Sequence, residues 1–174
     1  MVVVEQALDF IGSKVALLCD DKVLTILRDD KPTIPYPNHW DLPGGGRENG
    51  ETAFECLQRE IVEELGIRID ETAILWQKAY PSVTKPTKQS VFMVGRIRQE
   101  QVDEIVFGDE GQGYQMMTVS EFLEHEQVIP QLQARLRDYL QERVDGKTTV
   151  DQTWAILDFI VKVCYSKNRK SVER

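Results

Sequence analysis

The stretch Gly45-Gly46-Arg47-Glu48-Asn49-Gly50-Glu51-Thr52-Ala53-Phe54-Glu55-Cys56-Leu57-Gln58-Arg59-Glu60-Ile61-Val62-Glu63-Glu64-Leu65-Gly66-Ile67 decides how the chain is read. Thr52 with Glu55 makes a capping-box pattern, Phe54, Leu57, Ile61 and Leu65 recur at helical spacing, and Gly66 suits a C-terminal cap. The spacing predicts a helix over 52–65. On it, Glu60, Glu63 and Glu64 stand at i, i+3 and i+4 and project from one side. They lie beside the apolar stripe of Leu57 and Ile61, which puts them at the edge of a core, with Ala53 and Cys56 leaving room on the glutamate side. A solvated acidic face is the ordinary reading of such a helix. The preceding Gly44, Gly45 and Gly46 change it, because they allow a close backbone approach that side chains forbid. Hard oxygen ligands grouped beside a glycine turn point to Mg²⁺ or Mn²⁺.

Upstream, residues 14–28 read as two strands around the polar turn Asp20-Asp21-Lys22, a hairpin that opens the fold. Pro32, Pro35 and Pro37 then favour an extended loop leading to Trp40-Asp41-Leu42-Pro43. Downstream, strand-like runs at 67–80, 89–98 and 112–119 predict a mixed sheet. A helix is expected from about Pro130 to Arg143, where Leu132, Leu136, Tyr139 and Leu140 share a face. Thr149 and Gln152 form a second capping pattern before Trp154, Ile156, Leu157, Ile160 and Val161, so another amphipathic helix is expected, followed by a disordered basic tail.

The chain has 174 residues, which fits one domain with its own core. A formal net charge of −8 disfavours extended nucleic-acid binding, which needs a basic surface, while a small polyanion held through bound cations stays open. Cys19, Cys56 and Cys164 are far apart and show no CxxC spacing, so neither disulfides nor a zinc knuckle is expected and a reducing cytoplasm is. The acidic start from Met1 to Phe10 carries no signal-peptide pattern, and no stretch is apolar enough to span a membrane.

Gly45, five residues, Glu51, seven residues, then Arg59-Glu60-Ile61-Val62-Glu63-Glu64-Leu65-Gly66-Ile67 resembles the Nudix box at every specified position. The resemblance extends to Trp40-Asp41-Leu42-Pro43-Gly44 and, more weakly, to most of residues 13–143. It implies an α/β/α sandwich with a central mixed β-sheet, in which the box binds divalent metal. Carried over by position, Glu60 and Glu64 are carboxylate ligands, Glu63 is a ligand or base, and the Gly45 carbonyl is a further donor. Arg59 and Glu51 orient the cluster. Glu110, with Asp109 as fallback, resembles a position that supplies an extra ligand or base. Arg28 resembles a phosphate-contacting position, and a solvated strand end is its alternative. The domain is expected over 1–145, with 146–174 completing it or building a homodimer contact.

A phosphoanhydride is protected by its own negative charge, so its hydrolysis calls for Mg²⁺ (or Mn²⁺), carboxylates to hold the metal, and a base for the attacking water. Glu60, Glu63 and Glu110 all remain candidates for that base. Tyr36, Trp40, Tyr80, Phe92 and Tyr114 could stack on a nucleobase or belong to the core. The resemblance favours a nucleotide substrate of the mutator-type branch, a nucleoside triphosphate or its oxidised form cut to monophosphate and pyrophosphate. ADP-ribose or another nucleotide sugar is the runner-up, and a non-catalytic nucleotide sensor is the reading from another class.

Overall fold

The computed structural model describes residues 9–146. In chain order these form β1 (Phe10–Cys19), β2 (Lys22–Leu27), β3 (Trp40–Asp41), α1 (Ala53–Leu65), β4 (Ile74–Pro81), β5 (Gln89–Arg96), α2 (Gln99–Asp103), β6 (Gly113–Thr118), α3 (Val119–Glu124) and α4 (Pro130–Val144). The sheet is mixed, as expected: β1 runs parallel to β5, and the other pairings are antiparallel. Both faces of β1 are buried, so its apolar run is continuous rather than alternating. Val15 and Leu17 join the core under α1, while Ala16 and Leu18 join the core that includes Phe122, Leu132 and Leu136 of α3 and α4. That division makes the three-layer sandwich.

Local signals hold where they are strong. Thr52 caps α1 and accepts from the Glu55 N–H, Glu55 reaches back to the Thr52 N–H at 2.8 Å, and Gly66 takes the left-handed conformation at φ 66°. Pro130 opens α4, where its missing N–H costs nothing.

The expected hairpin becomes a fork. β1 and β2 pair only next to their turn, through Leu18 with Val23 and Cys19 with Lys22. β2 then pairs along its length with β6, and its far end pairs with β3 through Ile26 and Asp41. The glycine loop enters the fork and takes the vacant edge of β1. Ser13 N–H donates to the Gly45 carbonyl and Val15 N–H to the Pro43 carbonyl, both at 3.0 Å, and Arg47 N–H donates to the Ile11 carbonyl at 2.9 Å. Buried backbone groups demand partners, and this loop supplies them.

The strand predicted over 67–80 begins only at Ile74. Asp70 accepts from Thr72 N–H and starts a short 3₁₀ turn over Glu71–Ala73, so buried Ile67 and Ile69 belong to a connection. The five-residue α2 and six-residue α3 escape a periodicity argument, although Thr118 followed by Glu121 carries a capping signal that the structure uses. The helix expected after Thr149 and the basic tail lie outside the described residues. Among the described residues, no helix is long and apolar enough to cross a membrane.

Candidate active site

The loop and α1 fit together because two glycines have no side chains. Gly44 sits at φ 121°, and a Cβ there would meet the Ser13 carbonyl oxygen at 2.2 Å. A Cβ on Gly45 would stand 2.5 Å from the carboxylate of Glu60, so glycine lets that carboxylate lie directly against the loop. Beneath the loop, buried Cys56 points its Sγ at the Gly45 and Gly46 carbonyls, at 3.7 and 3.5 Å. Cys56 therefore fills the space that its small size was expected to leave open, and burial pushes its thiol up from the ordinary value.

Arg59 is the hub of the cluster. Its Nε and Nη2 donate to the two carboxylate oxygens of Glu51 at 2.8 and 3.1 Å, and Nη2 also donates to the Gly46 carbonyl at 2.7 Å. Its Nη1 reaches Glu60 at 2.8 Å and Glu63 at 3.4 Å. This fork-to-fork arrangement fixes direction as well as charge. Hydrogen bonding to Glu51 holds the Arg59 guanidinium above its ordinary range, and the same bonds hold Glu51 below the usual carboxylate range.

The three helical glutamates part company. Glu63 faces outward, its side chain 60% exposed, and Glu60 sits at the edge at 16%. Glu64 turns inward, further than the helical spacing indicated, and accepts the Gly44 N–H at 2.9 Å. Loss of solvent pushes Glu64 up to about 7, with Asp41 and Glu60 adding to the rise and Lys14 and the Gly44 N–H offsetting part of it.

Another wall is built on Asp41, which the sequence reading left without a role. This buried carboxylate accepts from Lys14 Nζ at 3.0 Å and Arg28 Nη1 at 2.8 Å, while its other oxygen takes the Leu42 N–H at 2.7 Å. Arg28 Nε also donates to the Pro35 carbonyl at 3.0 Å. Arg28 is thus braced on both sides rather than waving at a strand end. A lysine interrupting the apolar run of β1 is the signal that could have drawn attention to Lys14.

These groups line one open cleft of about 610 Å³, with Glu60, Glu63 and Glu64 on one wall, Lys14, Arg28 and Lys31 on another, and Asp109 and Glu110 among the lining side chains. Eight acidic and four basic side chains line it, so an anionic substrate needs added positive charge to enter. Glu51 stands outside that lining and acts on it through Arg59. Of the candidate stacking aromatics, Phe92 is core, Tyr36, Trp40 and Tyr80 pack against that core, and Tyr114 pairs with Phe107 at 6.0 Å between centroids.

Among the described residues, no three Asp, Glu, His or Cys side chains converge into a finished metal cage. Arg59 holds Glu60, and Glu64 rests on the Gly44 N–H. The donor set nonetheless fits a hard divalent cation: the carboxylates of Glu60 and Glu64 lie against a glycine cradle with no soft ligand exposed, while the Gly45 carbonyl accepts the Ser13 N–H and faces the Cys56 thiol.

Comparison with known proteins identifies the fold and the family. Nucleoside triphosphatase NudI of Enterobacter sp. (strain 638) is 56% identical over 39 residues, 22% of this chain and 28% of that protein. The m7GpppN-mRNA hydrolase NUDT17 of Xenopus laevis is 35% identical over 75 residues, 41% of this chain and 25% of its own. These matches thus span about a quarter of each curated relative's length. The MutT protein of Methanosarcina mazei Go1 shares the fold with a TM-score of 0.62 at 20% identity, over 78% of this chain and 96% of that one. A bifunctional NMN adenylyltransferase/ADP ribose pyrophosphatase of Francisella tularensis aligns with a TM-score of 0.60 at 19% identity, over 79% of this chain and 43% of its own. Residues 12–141 match the model of the NUDIX domain, and the chain belongs to that family.

Proposed function

We propose that the protein hydrolyses a phosphoanhydride bond of a nucleoside diphosphate derivative, and specifically that it converts nucleoside triphosphates, oxidised ones included, to monophosphate and pyrophosphate. One observation carries the reading: the carboxylates of Glu60 and Glu64 share a single cleft with Lys14, Arg28 and Lys31. Carboxylates alone would repel a polyphosphate, and cations alone would hold it without cutting it.

A divalent cation, Mg²⁺ or Mn²⁺, would be held by Glu60, Glu64 and the Gly45 carbonyl, with Glu63 or Glu110 completing the set, and supplies charge neutralisation and an acidified water. Arg28 donates to phosphate oxygens from a fixed position, because Asp41 and the Pro35 carbonyl hold its guanidinium. Lys31, whose ammonium pairs with half-buried Asp29 in the same cleft, adds a second cation. Glu63 is the most available general base of the helix: exposed, and held by Arg59 through one long contact. Arg59 and Glu51 keep Glu60 and the Gly46 carbonyl in register, and their part is positioning. The triphosphate preference draws on the relative named a nucleoside triphosphatase. The protein works as a soluble nucleotide hydrolase of the cytoplasm in this reading, with its domain ending near residue 145.

The test is product analysis with Mg²⁺ across nucleoside triphosphates, oxidised dGTP and ADP-ribose, with Glu63→Gln as the control. Monophosphate and pyrophosphate, lost by at least about a hundredfold in the variant, are expected from removal of a base. Two monophosphates from ADP-ribose would transfer the assignment to nucleotide sugars. Binding without turnover of any compound would refute hydrolysis and leave a sensor.

A further inference from the structure

Two polar side chains on α4 have no structural task that accounts for them. Arg135 is only 9% exposed. Among the described residues its partners are a hydroxyl and a ring: Nη2 donates to Ser90 Oγ at 2.9 Å, and the guanidinium lies 4.8 Å from the centroid of Tyr80. A guanidinium so largely buried with no carboxylate among these partners is costly, because its charge is desolvated without a counter-charge. One helical turn earlier, Gln131 gives its Nε2 to the Tyr36 hydroxyl at 2.8 Å, and its Oε1 is buried with no partner. At i and i+4 the two side chains are neighbours on one face. An unsatisfied acceptor thus stands beside a guanidinium that has no carboxylate partner among the described residues, and the two do not bond each other.

Their surroundings lead to the cleft. Tyr36 is held at φ 52°, a conformation that a bulky residue adopts only under constraint and that tends to mark functional positions. Its neighbour Pro35 accepts from Arg28, which lines the cleft. Across the sheet, Tyr80 pairs with Ser90, Ser90 falls opposite the irregular stretch of β1 between Phe10 and Ser13, and Gly12 bridges to Gly46. Arg135 therefore stands over a row that ends at the glycine loop, two strand spacings or about 10 Å away. That is about the length of a nucleoside laid between a base edge and its phosphates.

We propose that Gln131 and Arg135 read the lactam edge, a ring N–H beside a C=O, of an oxo-purine or oxo-pyrimidine nucleotide. The unpartnered Oε1 takes the ring N–H, and the Arg135 fork donates to the carbonyl. Adenine and cytosine present an amino group where the carbonyl would be and a bare nitrogen where the N–H would be, so both contacts turn repulsive. A site built on buried polar groups discriminates strongly, because a wrong ligand leaves them unpaired. The inference rests on the nucleotide substrate proposed above and names its base.

The experiment is calorimetric titration of the full chain, without metal, with GMP, UMP, AMP and CMP, beside Gln131→Met and thermal melts of both proteins. GMP and UMP are expected to bind at least about tenfold tighter than AMP and CMP. Gln131→Met should bring all four within about twofold while leaving Tm unchanged or higher, since it removes a buried unsatisfied acceptor. Arg135→Lys, which keeps the charge and loses the fork, should weaken GMP and UMP selectively. Equal affinity for the four bases, preference for AMP or CMP, binding of none, or a preference that survives Gln131→Met would each overturn the proposal. So would a variant that loses stability and all four ligands alike, the mark of a purely structural amide. Turnover without base preference would overturn this inference alone, and base-selective binding without turnover would overturn only the hydrolytic reading.

Discussion

Replacing Glu64 by Gln in the metal-free protein tests the electrostatics of the cleft at its centre. Burial raises the Glu64 carboxyl from 4.5 to about 7, against the Asp41 and Glu60 charges. Between those values the folded protein holds a proton that the unfolded chain has released. Stability from this group is therefore complete below about pH 4.5 and is lost as pH rises through about 7. At about 1.4 kcal/mol per pH unit, the rise corresponds to about 3 kcal/mol lost by pH 8. Gln cannot ionise, is nearly isosteric, and can still accept the Gly44 N–H. Urea unfolding of both proteins in EDTA from pH 5 to 8 should show the wild type falling relative to the variant. About 2.5 kcal/mol of that loss falls between pH 5 and 8, so with an m-value of about 2 kcal/mol per M the relative shift in midpoint is about 1.2 M. Millimolar Mg²⁺ at pH 8 should restore the wild type and not the variant, since only a carboxylate binds the cation with its charge. Titrations elsewhere cancel in the difference between the two proteins. Curves that stay parallel within about 0.5 kcal/mol across this range would refute the claim that desolvation holds Glu64 protonated.

Gly45→Ala should leave the fold intact and lower kcat/KM at least about a hundredfold, measured by pyrophosphate release, because its Cβ would meet the Glu60 carboxylate, the movable end of a side chain, at 2.5 Å. Asp41→Asn should cost about 3 kcal/mol in urea, since it leaves Lys14 and Arg28 without their shared buried counter-charge. Arg59→Lys should lower kcat about tenfold or more with a far-UV spectrum unchanged, because an ammonium cannot span both Glu51 oxygens and the Gly46 carbonyl. Thr52→Ala should lower stability by about 1 kcal/mol through loss of the cap on α1, with KM unchanged.

Much of the fold was legible where the relevant forces are local. The capping box at Thr52 and Glu55, the apolar spacing from Phe54 to Leu65 and the stop at Gly66 all depend on residues within one or two turns of each other. The same holds for Pro130 and the stripe of α4. The pairing of Arg59 with Glu63 was legible from helix spacing, while the tie between Arg59 and Glu51, eight residues earlier, was implied by the family resemblance. Where signals were short or weak the reading failed: the strand start at Ile74 hinges on a single Asp70 turn, and α2 and α3 are too brief to show a period.

The sequence by itself therefore determined the helix that carries the carboxylates, the glycines that precede it and the mixed sheet beneath. Each of these follows from spacing along the chain. Only the tertiary structure decided that β1 and β2 part into a fork filled by the glycine loop, that Glu64 turns inward while Glu63 faces solvent, and that Lys14 and Arg28 share Asp41. It also decided that two residues unremarkable on an amphipathic helix, Gln131 and Arg135, place above the sheet a buried, unpartnered Oε1 and a buried guanidinium with no carboxylate beside it among the described residues. The physical reason is the range of the interactions: a cap or a helical face is set by neighbours in sequence, whereas desolvation and shared counter-charges depend on which distant segments exclude water together.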